Sequence, residues 1–146
     1  MHFIYTDAGS RNNQHAACSW LIINDSTPPD ILYTNTIYLG PVTNNVAEIT
    51  AITYALISAL SGGIKDATLF SDSKLIISQI NGEYQIKNAT LQQLHNPISD
   101  LKSKFNSITF KWAPRETPFI SMCDSNCDLC IDNHRAWVTI FFNASC

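Results

Sequence analysis

The chain has 146 residues, of which 45% are apolar and 14% charged, and its net charge is −3 at pH 7. That composition fits one globular domain, residues 1–146, with a substantial core, and excludes a disordered or fibrous chain. No run approaches 18 consecutive apolar residues and the start, MHFIYTDAGS, lacks a basic flank, so neither a membrane span nor a signal peptide is expected. Five cysteines, an odd number in a domain that needs no staples, favour a reducing compartment. The expectation is an intracellular, cytoplasmic monomer.

In chain order, His2–Asp7 reads as a short strand ending in an acid, and Ala16–Asn24 as a second strand before a turn at Asp25–Asp30. Ile31–Leu39 is a third strand, so the first three form an antiparallel meander. Gly40 and Pro41 break the chain, Thr43 or Asn44 caps a helix to about Leu60, and Gly62 and Gly63 end it. Ala67–Ser71 is a short apolar strand followed at once by a helix, Ser73–Ile80, which Asn81 and Gly82 stop. Thr90–Phe105 is a further helical stretch containing Pro97, Ser107–Trp112 a fifth strand, and Ser121–His134 a last helix. The tail Ala136–Phe142 is apolar and β-branched and fits no element by its spacing. The order β-β-β-α-β-α-α-β-α predicts an α/β fold with a mixed sheet flanked by helices.

Charge is unevenly spread. Arg11 is the one Lys or Arg before Lys65, and the remaining basic residues follow it. A net negative chain is a poor polyanion binder in total, but a basic second half can still face phosphates.

Three acids stand out by position. Asp7 ends the first strand, and Asp72 ends the fourth where a helix begins; strand ends are where sites are built in such sheets. Glu48 lies on the same helical stripe as Ala51, Ile52, Ala55 and Ala59, where a carboxylate is costly unless it is paired or holds a metal. Each Asp alone serves equally as a turn or helix cap. Jointly they favour a metal site, and oxygen ligands without His suit Mg²⁺ or Mn²⁺ better than zinc.

Four segments then resemble the type 1 ribonuclease H family: IYTDAGS (4–10), TNNVAEITAITYAL (43–56), FSDSKLIISQINGEYQIKN (70–88) and FKWAPRE (110–116). The resemblance implies a ribonuclease H-like, five-stranded sheet in which three antiparallel strands precede parallel ones. It also implies cleavage of the RNA strand of RNA–DNA hybrids by two Mg²⁺ or Mn²⁺ ions, one activating water and one stabilising the departing 3′ oxygen. The metal ligands and catalytic residues it implies are Asp7, Glu48, Asp72 and a fourth Asp on the last helix. Asp128, preceded by Cys127 and followed by Cys130 and Ile131, fits that place better than Asp124, which has Asn126 where an apolar residue belongs. Asn44 and Asn45 are expected to meet the hybrid, where 2′-hydroxyls mark the RNA strand. Ser73, Asn81, Lys87 and Asn88 are expected at phosphates or sugars, with cap and turn roles as the alternative.

The chain departs from the family at Arg11–His15, where an Asn-Pro-Gly loop is usual, and lacks the flexible-loop His near PRETP. It also lacks a basic insertion between its middle helices, and so resembles the compact subtype. Cys123, Cys127, Cys130 and His134 have the spacing C-x3-C-x2-C-x3-H, which suits zinc or an iron–sulfur cluster. The same spacing is one helical stripe, about 16 Å long on a straight helix and too long for one tetrahedral ion, which favours buried packing. Two other readings compete with the nuclease: an inactive binding module with the same fold, and the nuclease part of a retroelement polyprotein. The initiating Met favours a stand-alone protein over the latter.

Overall fold

In the computed structural model, the backbone is described for residues 1–144 and side chains for residues 1–135. Five strands form one sheet: β1 (His2–Arg11), β2 (His15–Ile23), β3 (Ile31–Gly40), β4 (Asp66–Ser71) and β5 (Ser107–Trp112). Their order across the sheet is β3-β2-β1-β4-β5. The first three pair antiparallel, and β4 and β5 run parallel to β1. The helices are α1 (Asn44–Ser61), α2 (Lys74–Ile80), α3 (Ala89–Lys102) and α4 (Pro118–Ala144). The expected mixed sheet and element order are those observed.

Side-chain alternation along the strands divides the core between two faces. Ile4, Cys18, Trp20 and Ile22 point to the face covered by α1 and α3, meeting Ile52, Ala55, Leu56 and Ile98. Residues one position out of phase, including Ala17, Leu21 and Ile23, meet Cys123, Cys127 and Ile131 of α4 on the opposite face. The acid-bearing α1 and α4 therefore lie on opposite sides of β1, the central strand.

Local chemistry fixes the ends. Thr43 Oγ1 accepts from the Val46 N–H (3.3 Å) to start α1, and Ser73 Oγ accepts from Ile76 N–H (3.3 Å) to start α2. Asn88 Oδ1 accepts from Leu91 N–H (3.0 Å) at the start of α3. Asn12 and Asn13 take positive φ (56° and 54°) in the β1–β2 turn, a conformation Asn tolerates better than most side chains.

Several boundaries differ from the sequence reading: α3 stops at Lys102 rather than Phe105, and two larger differences concern β1 and α4. β1 does not end at Asp7 but continues to Arg11, because β2 supplies antiparallel partners along its whole length, down to Arg11 opposite His15. The last helix begins at Pro118 and its backbone continues through the apolar tail to Ala144; the tail's side chains lie outside the described residues. Among the described residues no helix is long and apolar enough to cross a membrane.

Ile52 is wholly buried where α1 meets the sheet. Ile52→Ala is expected to cost about 2–5 kcal/mol, seen as a lower urea midpoint with an unchanged slope.

Candidate metal centre and its cleft

Parallel pairing of β1 with β4 ends at Thr6 opposite Ser71. Asp7 and Asp72 are the next residues on the two neighbouring strands, so the end of that ladder sets two carboxylates side by side. Glu48, near the start of α1, completes the group: one carboxylate oxygen from each of Asp7, Glu48 and Asp72 lies within 4.8 Å of the others. Asp7 is 2% exposed and Glu48 3%, with Asp72 half-buried.

Three negative charges at this spacing are unstable without a cation. Two full charges about 5 Å apart repel by about 3 kcal/mol at an effective dielectric constant near 20. Burial first, then the Asp72 charge, pushes the Asp7 carboxyl up to about 8. Burial and the charges of Asp7 and Asp72 hold Glu48 well above the usual carboxylate range, and burial raises Asp72 as well. The Ala8 N–H hydrogen-bonds to Asp7 and Glu48 and opposes the rise only in part.

The donor set fits a hard divalent cation. Asp7 Oδ2 and Glu48 Oε2 are buried with no hydrogen-bond partner, a costly state that a cation relieves. The group offers carboxylate oxygens and neither imidazole nor thiolate.

The group opens into a cleft of about 410 Å³ that Asp124 and Asp128 of α4 also line, together with Asn44, Ser73, Arg11 and Arg115. The two α4 acids differ in their surroundings. The Asp124 carboxylate is 26% exposed and raises both Asp7 and Asp72 through its charge. Its oxygens accept from Arg115 Nη2 at 3.3 and 3.4 Å. Asp128 is 58% exposed and accepts from Arg11 Nη2 at 3.3 Å, and Arg11 Nη1 donates to Asp132.

A family model described as reverse transcriptase-like matches residues 6–141. A bifunctional protein of Mycobacterium tuberculosis is 31% identical over 112 residues, covering 77% of this chain and 31% of that protein. Ribonuclease HI of Halobacterium salinarum is 30% identical over 114 residues, covering 77% of this chain and 56% of that protein. The chain thus spans about a third to a half of these curated relatives. The crystal structure of RNase H1 from Halobacterium salinarum superposes with a TM-score of 0.84 at 26% identity, covering 90% of this chain and 98% of that one. LC11-RNase H1, from a compost metagenome and crystallised with an RNA/DNA hybrid, gives 0.83 at 29% identity over 92% and 99%.

The chain belongs to the ribonuclease H family. Ribonucleases of this family use divalent metal ions, which accords with the acidic triad.

For this ribonuclease H chain, the residues expected at the substrate divide into three groups. Asn44 and Ser73 line the cleft with the triad. Asn45 and Asn88 line a neighbouring groove of about 380 Å³ with Thr43. Asn81 lies at neither: its Nδ2 donates to Phe110 O (3.0 Å), tying the end of α2 to β5. Lys87 is exposed on the α2–α3 loop and lines neither of these two pockets. Arg115 and Arg11 are cleft residues that sequence reasoning left without a role. The signal for Arg115 was its place in the segment FKWAPRE; in the structure that segment is tied beside the site, where Trp112 Nε1 donates to Asp72 O (3.1 Å).

The cysteine row is a packing stripe. Cys123 Sγ donates to Tyr5 O (3.7 Å), and Cys127 Sγ donates to Ala17 O (3.6 Å) and Asp7 O (3.8 Å), each thiol buried against the sheet. Among the described residues the one cluster of three or more His, Cys, Asp or Glu fit to hold an ion is the acidic triad.

The raised carboxyls set the sign of the pH dependence without metal. Unfolded, Asp7 ionises near its ordinary value of 3.8; folded, it holds its proton to about pH 8. Between those values the folded state binds more protons, so this group's stability contribution is full below about pH 4 and is lost as pH rises towards 8. In chelator at pH 8, Asp7→Asn is expected to raise Tm by several degrees, about 4 °C per kcal/mol. The gain is expected to vanish near pH 4 in thermal melts.

Proposed function

We propose that this chain is a compact type 1 ribonuclease H that hydrolyses the RNA strand of RNA–DNA hybrids with two Mg²⁺ or Mn²⁺ ions. The observation that carries the proposal is the buried Asp7–Glu48–Asp72 triad with two unpartnered oxygens, opening into a polar cleft. The hybrid crystallised with LC11-RNase H1 and the activity in the Halobacterium protein's name support the substrate.

In this reading Asp7, Glu48 and Asp72 would hold the ions, together with a fourth carboxylate from α4. The fourth ligand is Asp124 rather than Asp128, a change from the sequence preference. Asp124 acts electrostatically on Asp7 and Asp72, whereas Asp128 is committed to Arg11. When bound, the ions supply activation of a water and stabilisation of charge on the departing 3′ oxygen. The protein holds its four carboxylates in place before substrate arrives, through the β1–β4 ladder, the capped α1 and the packing of α4 on β1. Asn44 offers an amide at the cleft that can bond a 2′-hydroxyl, the group that distinguishes RNA from DNA. Asn45, Ser73, Lys87 and Asn88 are weaker contacts on this reading, since Ser73 and Asn88 already cap helices.

Two divalent ions would offset the four carboxylates, which reconciles the acidic net charge with a polyanionic substrate. The free thiols of Cys18, Cys123, Cys127 and Cys130 are compatible with a reducing cytoplasm, and a monomer suffices because the cleft is built by one chain.

The test is cleavage of an end-labelled RNA–DNA hybrid with Mg²⁺ or Mn²⁺. The expected result is cutting of the RNA strand alone to 5′-phosphate ends. Asp7→Asn is expected to lose several kcal/mol of charge stabilisation, about 1,000-fold in rate. Asp124→Asn is expected to cost about tenfold more activity than Asp128→Asn. Folded protein that leaves the hybrid intact with either ion would favour an inactive binding module instead.

A further inference from the structure

The two arginines of the cleft are held in different ways, and the difference has a consequence. Arg11 is bound by Asp128 and Asp132, on the more exposed part of α4. Among the described residues Arg115 is ion-paired with Asp124, and it feels Asp7 and Asp72 as well. Its main chain is fixed on both sides: Ala113 N–H donates to Ser71 O (2.9 Å) at the end of β4, and Ser121 Oγ donates to Arg115 O (2.9 Å) from α4. The guanidinium itself is 69% exposed. A fixed base carrying a loosely held cation suits exchange, since exposed ion pairs are worth about 0–1 kcal/mol.

We propose that Arg115 is an exchangeable counter-ion: it occupies Asp124 when the site lacks metal, and turns to a substrate phosphate when divalent ions take Asp124. The physical cause is a change in sign of the local field. Without ions Arg115 is attracted by Asp124, Asp7 and Asp72; with two divalent ions among those carboxylates that attraction is cancelled or reversed. Its planar fork then matches a phosphate, which supplies the negative charge it has lost. Metal loading and hybrid binding are thereby coupled through one side chain. The inference rests on the nuclease reading and on Asp124 as a ligand in it.

The experiment is hybrid binding by fluorescence anisotropy across a salt series, in chelator and in Ca²⁺ at matched ionic strength. Gels check that the hybrid stays intact. Each phosphate contact contributes roughly 0.7–0.9 to the slope of log K against log salt. In Ca²⁺, Arg115→Gln is expected to weaken binding several-fold and to reduce the slope by about that one contact. In chelator it is expected to change neither. In an Asp124→Asn background, where Arg115 has lost its ion-pair partner and its strongest attraction, part of the loss on Arg115→Gln is expected in chelator too. Arg11→Gln serves as the comparison, its effect the same with and without Ca²⁺. An equal effect of Arg115→Gln in both conditions, or none in either, would overturn this proposal while leaving the nuclease reading standing. Failure of the unaltered protein to bind hybrid in both conditions would overturn the two together.

Discussion

Carboxylates that repel one another in a buried place are the constraint around which this molecule is arranged. Asp7 and Glu48 are almost wholly enclosed, Asp72 is their half-buried neighbour, and two of their oxygens have no partner. A core of this size can absorb such a cost, because the sheet is packed on both faces by apolar side chains. The group persists because each carboxylate is set by a different, strongly determined element. Asp7 and Asp72 follow the last paired residues of two adjacent parallel strands, and Glu48 rides on a helix whose apolar stripe can dock in one way.

The fourth wall is α4, which packs on β1 and β2 through small and apolar side chains. A Cβ added at Gly9 would meet that of Cys127 at 3.5 Å, an ordinary packing distance. Cys127 and Cys123 fill the contact and spend their thiols on strand carbonyls. The cysteine row is therefore what allows the acidic ridge of α4 to reach the cleft, and burial pushes the Cys123 thiol up to about 12, far from reactive. One arginine on either side then steadies that ridge, Arg115 at Asp124 and Arg11 at Asp128 and Asp132.

Much of this was legible in the residues. Glu48 on an apolar stripe, acids at the ends of β-rich runs and the four family-like segments all led to the triad, because they express local periodicity and the junctions between elements. What escaped depends on tertiary partners. β1 runs past Asp7 only because β2 pairs with it, so its true end could not be seen from His2–Asp7 alone. Asp124 and Asp128 sit one helical turn apart on the same face, and the neighbouring pattern favoured Asp128. It is the distribution of arginines, from a hairpin and a distant loop, that separates them. Ser73 and Asn88 take the local cap roles that sequence reading had left as the alternative, whereas the tie from Asn81 to Phe110 O joins residues 29 apart and is not carried by spacing.

The central claim is that the triad exists to hold divalent cations. Its most direct test is calorimetric titration of metal-free protein with Mn²⁺ at neutral pH, beside Asp7→Asn. The account predicts saturable binding to the unaltered protein and loss of that binding in the variant. Mn²⁺ binding of equal strength in both, or no binding to the folded unaltered protein, would contradict it.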